Sequence, residues 1–145
     1  MIELRAAVEA DVQFIQSSYR DDLEQNTTRA AIETSIHSIK DLVFVASIKG
    51  QPCGFAHAVW SGGPYELLGI GVIAQARRQG VGLCLLKSLV SDIERTGGEA
   101  LWLEVRADNL AAQQLYIKTG AVHTGRRNGY YSDGVDAVLM SYFLG

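Results

Sequence analysis

The chain has 145 residues, 48% of them hydrophobic, with 16 acidic against 13 basic side chains and a net charge of −3. A chain of this length fits one domain that buries roughly 70% of its unfolded surface, so it needs neither a metal nor a disulfide to fold. The acidic balance argues against general nucleic-acid binding, and no apolar run reaches the ~20 residues that cross a bilayer.

In chain order, Ile2–Arg5 reads as a short strand, and Val8–Tyr19 as a helix with Val12, Ile15 and Tyr19 at helical spacing. The start, Met1-Ile2-Glu3-Leu4-Arg5, lacks a basic segment followed by an apolar one, so a cytoplasmic protein without a secretory leader is expected. Asp21–Asn26 is polar and reads as a loop. Arg29–Ile39 reads as a second helix with Ile32, Ile36 and Ile39 on one face. A hairpin follows: Leu42–Ile48, a turn at Lys49-Gly50-Gln51, and Pro52–Trp60. Ser61-Gly62-Gly63-Pro64 breaks the pattern. Tyr65–Val72 is a strand interrupted by Gly69 and Gly71, and glycine there predicts a bulge or a close backbone approach.

Ala74–Gly82 is a loop running into the clearest helix, whose stripe is Val81, Leu85, Leu86, Leu89, Val90 and Ile93, ended by Gly97-Gly98. Ala100–Val105 is a strand. Leu101, Leu103 and Val105 face one way, and Trp102, Glu104 and Arg106 the other. Asp108 or Asn109 caps a short helix through Lys118, and Gly120 stops it. Val122–Arg127 and Val135–Leu144 are the last strands. The expectation is a mixed, strongly twisted sheet with helices on both faces. Cys53 and Cys84 lack metal-ligand spacing and read as buried small hydrophobes; no metal is expected.

The segment Arg77-Arg78-Gln79-Gly80-Val81-Gly82 lies between a strand and that helix. A helix start leaves about four amides unpaired and carries roughly half a positive charge. Gly80 and Gly82 present bare backbone, and Arg77 and Arg78 add charge, a pattern suited to a pyrophosphate. It is not a P-loop, because Leu83-Cys84 follows Gly82, and it is not the dinucleotide fingerprint, because Leu85 stands where a third glycine belongs. A glycine-rich helix start with solvated arginines is the plain alternative.

Arg77-x-x-Gly80-x-Gly82 resembles the acetyl-CoA signature of the GNAT acetyltransferase superfamily. Leu101-Trp102-Leu103-Glu104-Val105-Arg106-Ala107-Asp108-Asn109, then Leu115-Tyr116 and Gly120, is similar to the bacterial ribosomal-protein-alanine N-acetyltransferase (RimI) family. So are Arg126-Arg127-Asn128-Gly129-Tyr130-Tyr131 and Asp136–Met140. The likeness runs over Glu66–Met140. It departs at Ile73-Ala74, where the family has Asp-Pro, at Thr119-Gly120-Ala121, at the inserted Gly129, and at Asp21–Asn26, which replaces an aromatic-Pro-Trp segment beside the substrate entrance.

The resemblance implies the α+β, three-layer αβα acyl-CoA N-acyltransferase fold over residues 1–145, with acetyl-CoA as cosubstrate. Ile70, Gly71 and Val72 would hold the pantetheine arm like an added strand. Arg77, Arg78, Gly80, Val81 and Gly82 would hold the pyrophosphate, and Asn109 would contact the cofactor near the arm. Glu104 is implied as general base and Tyr116 as general acid, with Tyr130 or Tyr131 lining the acceptor groove.

The chemistry fits those side chains. A peptide α-amine with pKa ~7.7–8.0 is partly neutral at pH 7, whereas neutralising a lysine amine costs roughly 4.6 kcal/mol. A mild carboxylate base therefore suits an α-amine. Full proton transfer from a tyrosine to a thiolate is uphill by roughly 2 kcal/mol, so Tyr116 acts partly by hydrogen bonding. The Val72 N–H is a candidate for polarising the thioester carbonyl. Read alone, Glu104 is equally a strand carboxylate paired with Arg106, Tyr116 a packing residue, and Arg126-Arg127 a solvated face or an attraction for an acidic acceptor. His37, His57 and His123 read as surface or satisfied core residues. The acceptor is a peptide or protein N-terminus or a small amine. The third reading is a non-catalytic coenzyme A-binding domain, and either a monomer or a homodimer is compatible.

Overall fold

Strand alternation sets the two faces of the sheet. Val43, Val45 and Phe55 join one apolar cluster, and Ala46, Ala56 and Ala58, at alternate positions of the same two strands, join the other. The computed structural model describes residues 1–20 and 27–144; the loop expected at Asp21–Asn26 lies outside them. The strands are β1 (Ile2–Ala6), β2 (Leu42–Ile48), β3 (Gln51–Trp60), β4 (Tyr65–Val72), β5 (Ala100–Arg106), β6 (Val122–Arg127) and β7 (Ala137–Phe143). The helices are α1 (Val12–Arg20), α2 (Arg29–His37), α3 (Val81–Arg95) and α4 (Leu110–Lys118). The strands form one mixed sheet in the order β1-β2-β3-β4-β5-β7-β6.

Helix α3 buries Val81, Leu85, Leu86, Leu89 and Ile93 against one face, each side chain contributing roughly 1.5–3 kcal/mol. On the opposite face Val12, Ile15 and Tyr19 of α1 and Ile32 of α2 cover Val43, Val45 and Phe55. The sheet is thus covered from both sides, as the sequence predicts.

Three boundaries differ from expectation by two residues or more. Helix α1 starts at Val12, because Asp11 accepts from Val8 N at 2.8 Å and from Arg5 at 2.6 and 2.8 Å, fixing a single 3-10 turn over Glu9–Asp11. Helix α2 ends at His37. Ser38 is extended (φ −80°, ψ 136°) and its hydroxyl accepts from Lys40 N and Asp41 N at 3.3 Å each, which leaves Ile39 wholly exposed instead of on the buried face. The last strand begins at Ala137, because Tyr131 N donates to Val135 O in a turn.

Two irregularities shape the centre of the sheet. The β3–β4 register shifts between His57 and Ala58, which face Gly69 and Leu67, so Leu68 is an extra residue. Strands β4 and β5 run parallel and pair only at Tyr65↔Leu101 and Glu66↔Trp102. Beyond Glu66 they separate, and a cleft opens between them.

Candidate active site

In that cleft lies a cavity of about 390 Å³. Of the residues expected at the site, Ile70, Gly71, Val72, Gly82, Glu104, Asn109, Tyr116, Tyr130 and Tyr131 line it. Arg77, Arg78, Gly80 and Val81 stand outside the lining, at the turn into α3.

The β4 wall offers backbone. Ile73 N donates to Cys53 O across to β3 at 2.9 Å, so by strand alternation Val72 N–H points the other way, into the cleft. The Val72 carbonyl, on that same side, accepts from Arg77 Nε at 3.2 Å. The glycines of this strand lie at a bulge and at close approaches, the two features expected of them. A methyl at Gly69 would sit 2.3–2.4 Å from the Tyr19 ring, and one at Gly71 would sit 2.8 Å from Phe55. The close approach is made by aromatic side chains of the core, and the bulge lies beside it at Leu68.

The α3 start is built from left-handed backbone. Arg78 has φ 65° and Gly80 φ 83°, and two such residues within three curl the chain into a concave turn ahead of the helix. Arg78 pays roughly 1–3 kcal/mol of strain for that conformation. The amides of Val81, Gly82 and Leu83 belong to the first turn and have no acceptor inside the helix. The Val81 side chain is buried against Gly54, so this residue offers only its amide to the outside. A methyl at Gly82 would come within 3.3 Å of Leu115, which means this glycine also lets α3 approach α4.

On the β5 side, Glu104 projects from the face opposite the α3 core. Its Oε1 lies 3.6 Å from Arg127 Nε. The Tyr130 phenol faces the same carboxylate, and that hydrogen bond and charge push its pKa up. Arg127 stacks 5.7 Å from the Tyr130 ring. Arg106, the partner suggested by sequence, instead pairs with Asp108 (3.1 Å) and Asp133 (2.6 Å) and lies 5.1 Å from the Tyr131 ring. Both carboxyls hold that guanidinium charged, raising its pKa, while it lowers theirs. Arg126 is also engaged, with Asp136 at 2.8 Å, so neither arginine of the pair is merely solvated.

Tyr116 of α4 is 93% buried and reaches the cavity from the apolar core. Asn109 caps α4 by accepting from Ala112 N at 3.2 Å, which settles the choice between Asp108 and Asn109. Glu66 is the charged lining residue that sequence reasoning missed. Its register with Trp102 places it on the Glu104 face, a relation that exists only once β4 and β5 pair. Cys53 is buried, with its thiol pKa raised by burial, and Cys84 is half-buried. Among the described residues no group of three metal-binding side chains occurs and no helix is long and apolar enough to cross a membrane.

A model of the acetyltransferase (GNAT) family matches residues 11–121, and the chain belongs to that family. It is 42% identical over 78 residues to the [ribosomal protein bS18]-alanine N-acetyltransferase of Escherichia coli, covering 52% of this chain and 53% of that protein. It is 37% identical over 77 residues to an N-alpha-acetyltransferase of Sulfurisphaera tokodaii, covering 52% and 46%. The chain thus spans about half the length of these curated relatives. The crystal structure of the ribosomal-protein-S18-alanine N-acetyltransferase from Escherichia coli superposes with a TM-score of 0.88 at 27% identity, covering 100% of this chain and 95% of that one. The fold is that of the GNAT enzymes.

Proposed function

We propose that the protein is an acetyl-CoA-dependent N-acetyltransferase acting on the N-terminal α-amine of a peptide or protein. The observation that carries this reading is convergence. Two carboxylates, a buried tyrosine, a glycine-bearing strand and a helix start meet around one cleft, although they come from four separate stretches of chain. The relatives named for α-amine acetylation favour the same acceptor class.

The residues present fit the cosubstrate. The curled turn at Arg78–Gly80 and the first amides of α3 suit a diphosphate, with Arg77 and Arg78 beside it. The cleft-lining backbone of Ile70–Val72 suits the amide-bearing arm. Acetyl-CoA supplies an activated acyl carbon whose C–S bond breaks as the C–N bond forms. Glu104 takes the amine proton through a water, and the Tyr116 hydroxyl donates to the departing sulfur. The Val72 N–H donates to the carbonyl oxygen, a single contact of the kind worth ~3–4 kcal/mol. Arg127 and Tyr130 hold the Glu104 carboxylate in place, and Tyr130 and Tyr131 flank the acceptor.

A pool of synthetic peptides incubated with the protein and acetyl-CoA, then read by mass spectrometry, tests this directly. The expected result is a mass gain of one acetyl group at α-amines. Glu104→Gln should lower kcat by about 10²-fold or more, the usual share of a general base. Acetylation confined to small amines, or turnover untouched in both Glu104→Gln and Tyr116→Phe, would refute the assignment.

A further inference from the structure

A second cavity, also about 390 Å³, adjoins the first on the opposite side of Glu104. Glu66 and Glu104 line both, so the two carboxylates form the boundary between them. The walls of the second are Trp102 of β5 with Leu139 and Phe143 of β7. Register explains the grouping. Glu104 faces Leu139 and Trp102 faces Ser141, which sets Phe143 two positions further along, within reach of the indole. These side chains lie on the sheet face opposite α3. Trp102 is 47% and Phe143 68% exposed, so neither serves the core. Exposed aromatics grouped beside a reactive cleft mark a binding surface more readily than chance.

We propose that this second cavity receives the first side chain of the acceptor and selects N-termini that begin with a large apolar residue. The inference rests on the proposed α-amine acetylation. An α-amine at the Glu66–Glu104 boundary stands next to the acyl carbon on one side. Its own side chain, one bond away, then has the Trp102–Leu139–Phe143 wall on the other. The volume lies within the range of small-ligand pockets. The paired carboxylates attract the ammonium form of the amine and repel an acidic first residue, while the charge of Arg127, which also lines this cavity, is already engaged by Glu104.

The test is a peptide series that varies only the first residue, assayed with the full chain and acetyl-CoA. Leu, Met or Phe at that position should give kcat/KM about tenfold above Gly or Ser, with Asp lowest, since a few methylenes in an apolar pocket discriminate on this scale. Trp102→Ala should flatten the series, chiefly through acceptor KM, while KM for acetyl-CoA stays unchanged. Trp102→Phe should restore most of the preference. Trp102 is half exposed, so these variants should fold, and their thermal unfolding reports whether they do; Leu139→Ala supplies an independent probe of the same wall. Acetylation of all N-termini at similar rates, or a preference that survives both Trp102→Ala and Leu139→Ala, would overturn the inference and leave the acetyltransferase reading intact. Absence of any α-amine acetylation would overturn both.

Discussion

His57 is wholly buried in β3, and its hydrogen bonds fix its tautomer. Ser35 Oγ lies 2.9 Å from Asp41 Oδ2 and donates to it, because a carboxylate only accepts. The serine oxygen therefore accepts from His57 Nε2–H at 2.8 Å, and Nδ1 accepts from the Tyr19 hydroxyl at 3.0 Å. Burial pushes the imidazole pKa down to about 4, with Asp41 opposing the shift. The unfolded chain protonates this histidine below about pH 6.5, while the folded chain refuses the proton until about pH 4. Its contribution to stability is therefore complete above pH 6.5 and lost as the pH falls to 4, amounting to about 3 kcal/mol. Urea unfolding of the wild type and of His57→Asn across that window should show the wild type losing this much more; parallel curves would contradict it. From sequence this residue read as either a surface or a satisfied core histidine, and its partners were invisible because Tyr19 and Ser35 lie 38 and 22 positions away. The same distance hid the reason for Gly69, whose missing side chain makes room for Tyr19.

The elements split by how local their causes are. Helix α3 and its end were legible because a continuous apolar stripe and a terminal Gly97 with φ 82° lie in consecutive residues. The end of α2 was not, since Ile39 continues the helical spacing while the Ser38 hydroxyl, by capturing two amides, breaks the helix before it. The β6–β7 connection shows a third case. Its tyrosines were readable, but the device that fixes them was not. Arg106 of β5 reaches Asp133, and Gly129 N donates to Asp136 at 2.7 Å. An exposed pair of this kind adds little to global stability, yet it holds Tyr131 against the guanidinium. Asp133→Asn should therefore raise acceptor KM several-fold while thermal unfolding and KM for acetyl-CoA barely move. Equal increases in both KM values would point to a different role for the loop.

At the scale of the molecule, the described strands form one continuous sheet that parts between β4 and β5. The Leu68 bulge and the two-residue pairing of β4 with β5 separate the strands beside the α3 start. The sequence announces the pieces: glycines in β4, arginines and glycines before α3, Glu104 in β5, Tyr116 in α4. Their meeting in one cleft depends on strand order and register, which are non-local, and for the same reason Glu66 and the pairing of Glu104 with Arg127 emerged only in the fold.

On the proposed function, that parting of the sheet and the α3 start beside it grip a diphosphate-linked thioester. Isothermal titration of the purified full chain with coenzyme A and with acetyl-CoA measures it most directly. Saturable heat at one ligand per chain is predicted, weakened when Gly80→Val disturbs the left-handed turn. No saturable heat with either ligand at millimolar concentration, from protein shown to be folded, would contradict it.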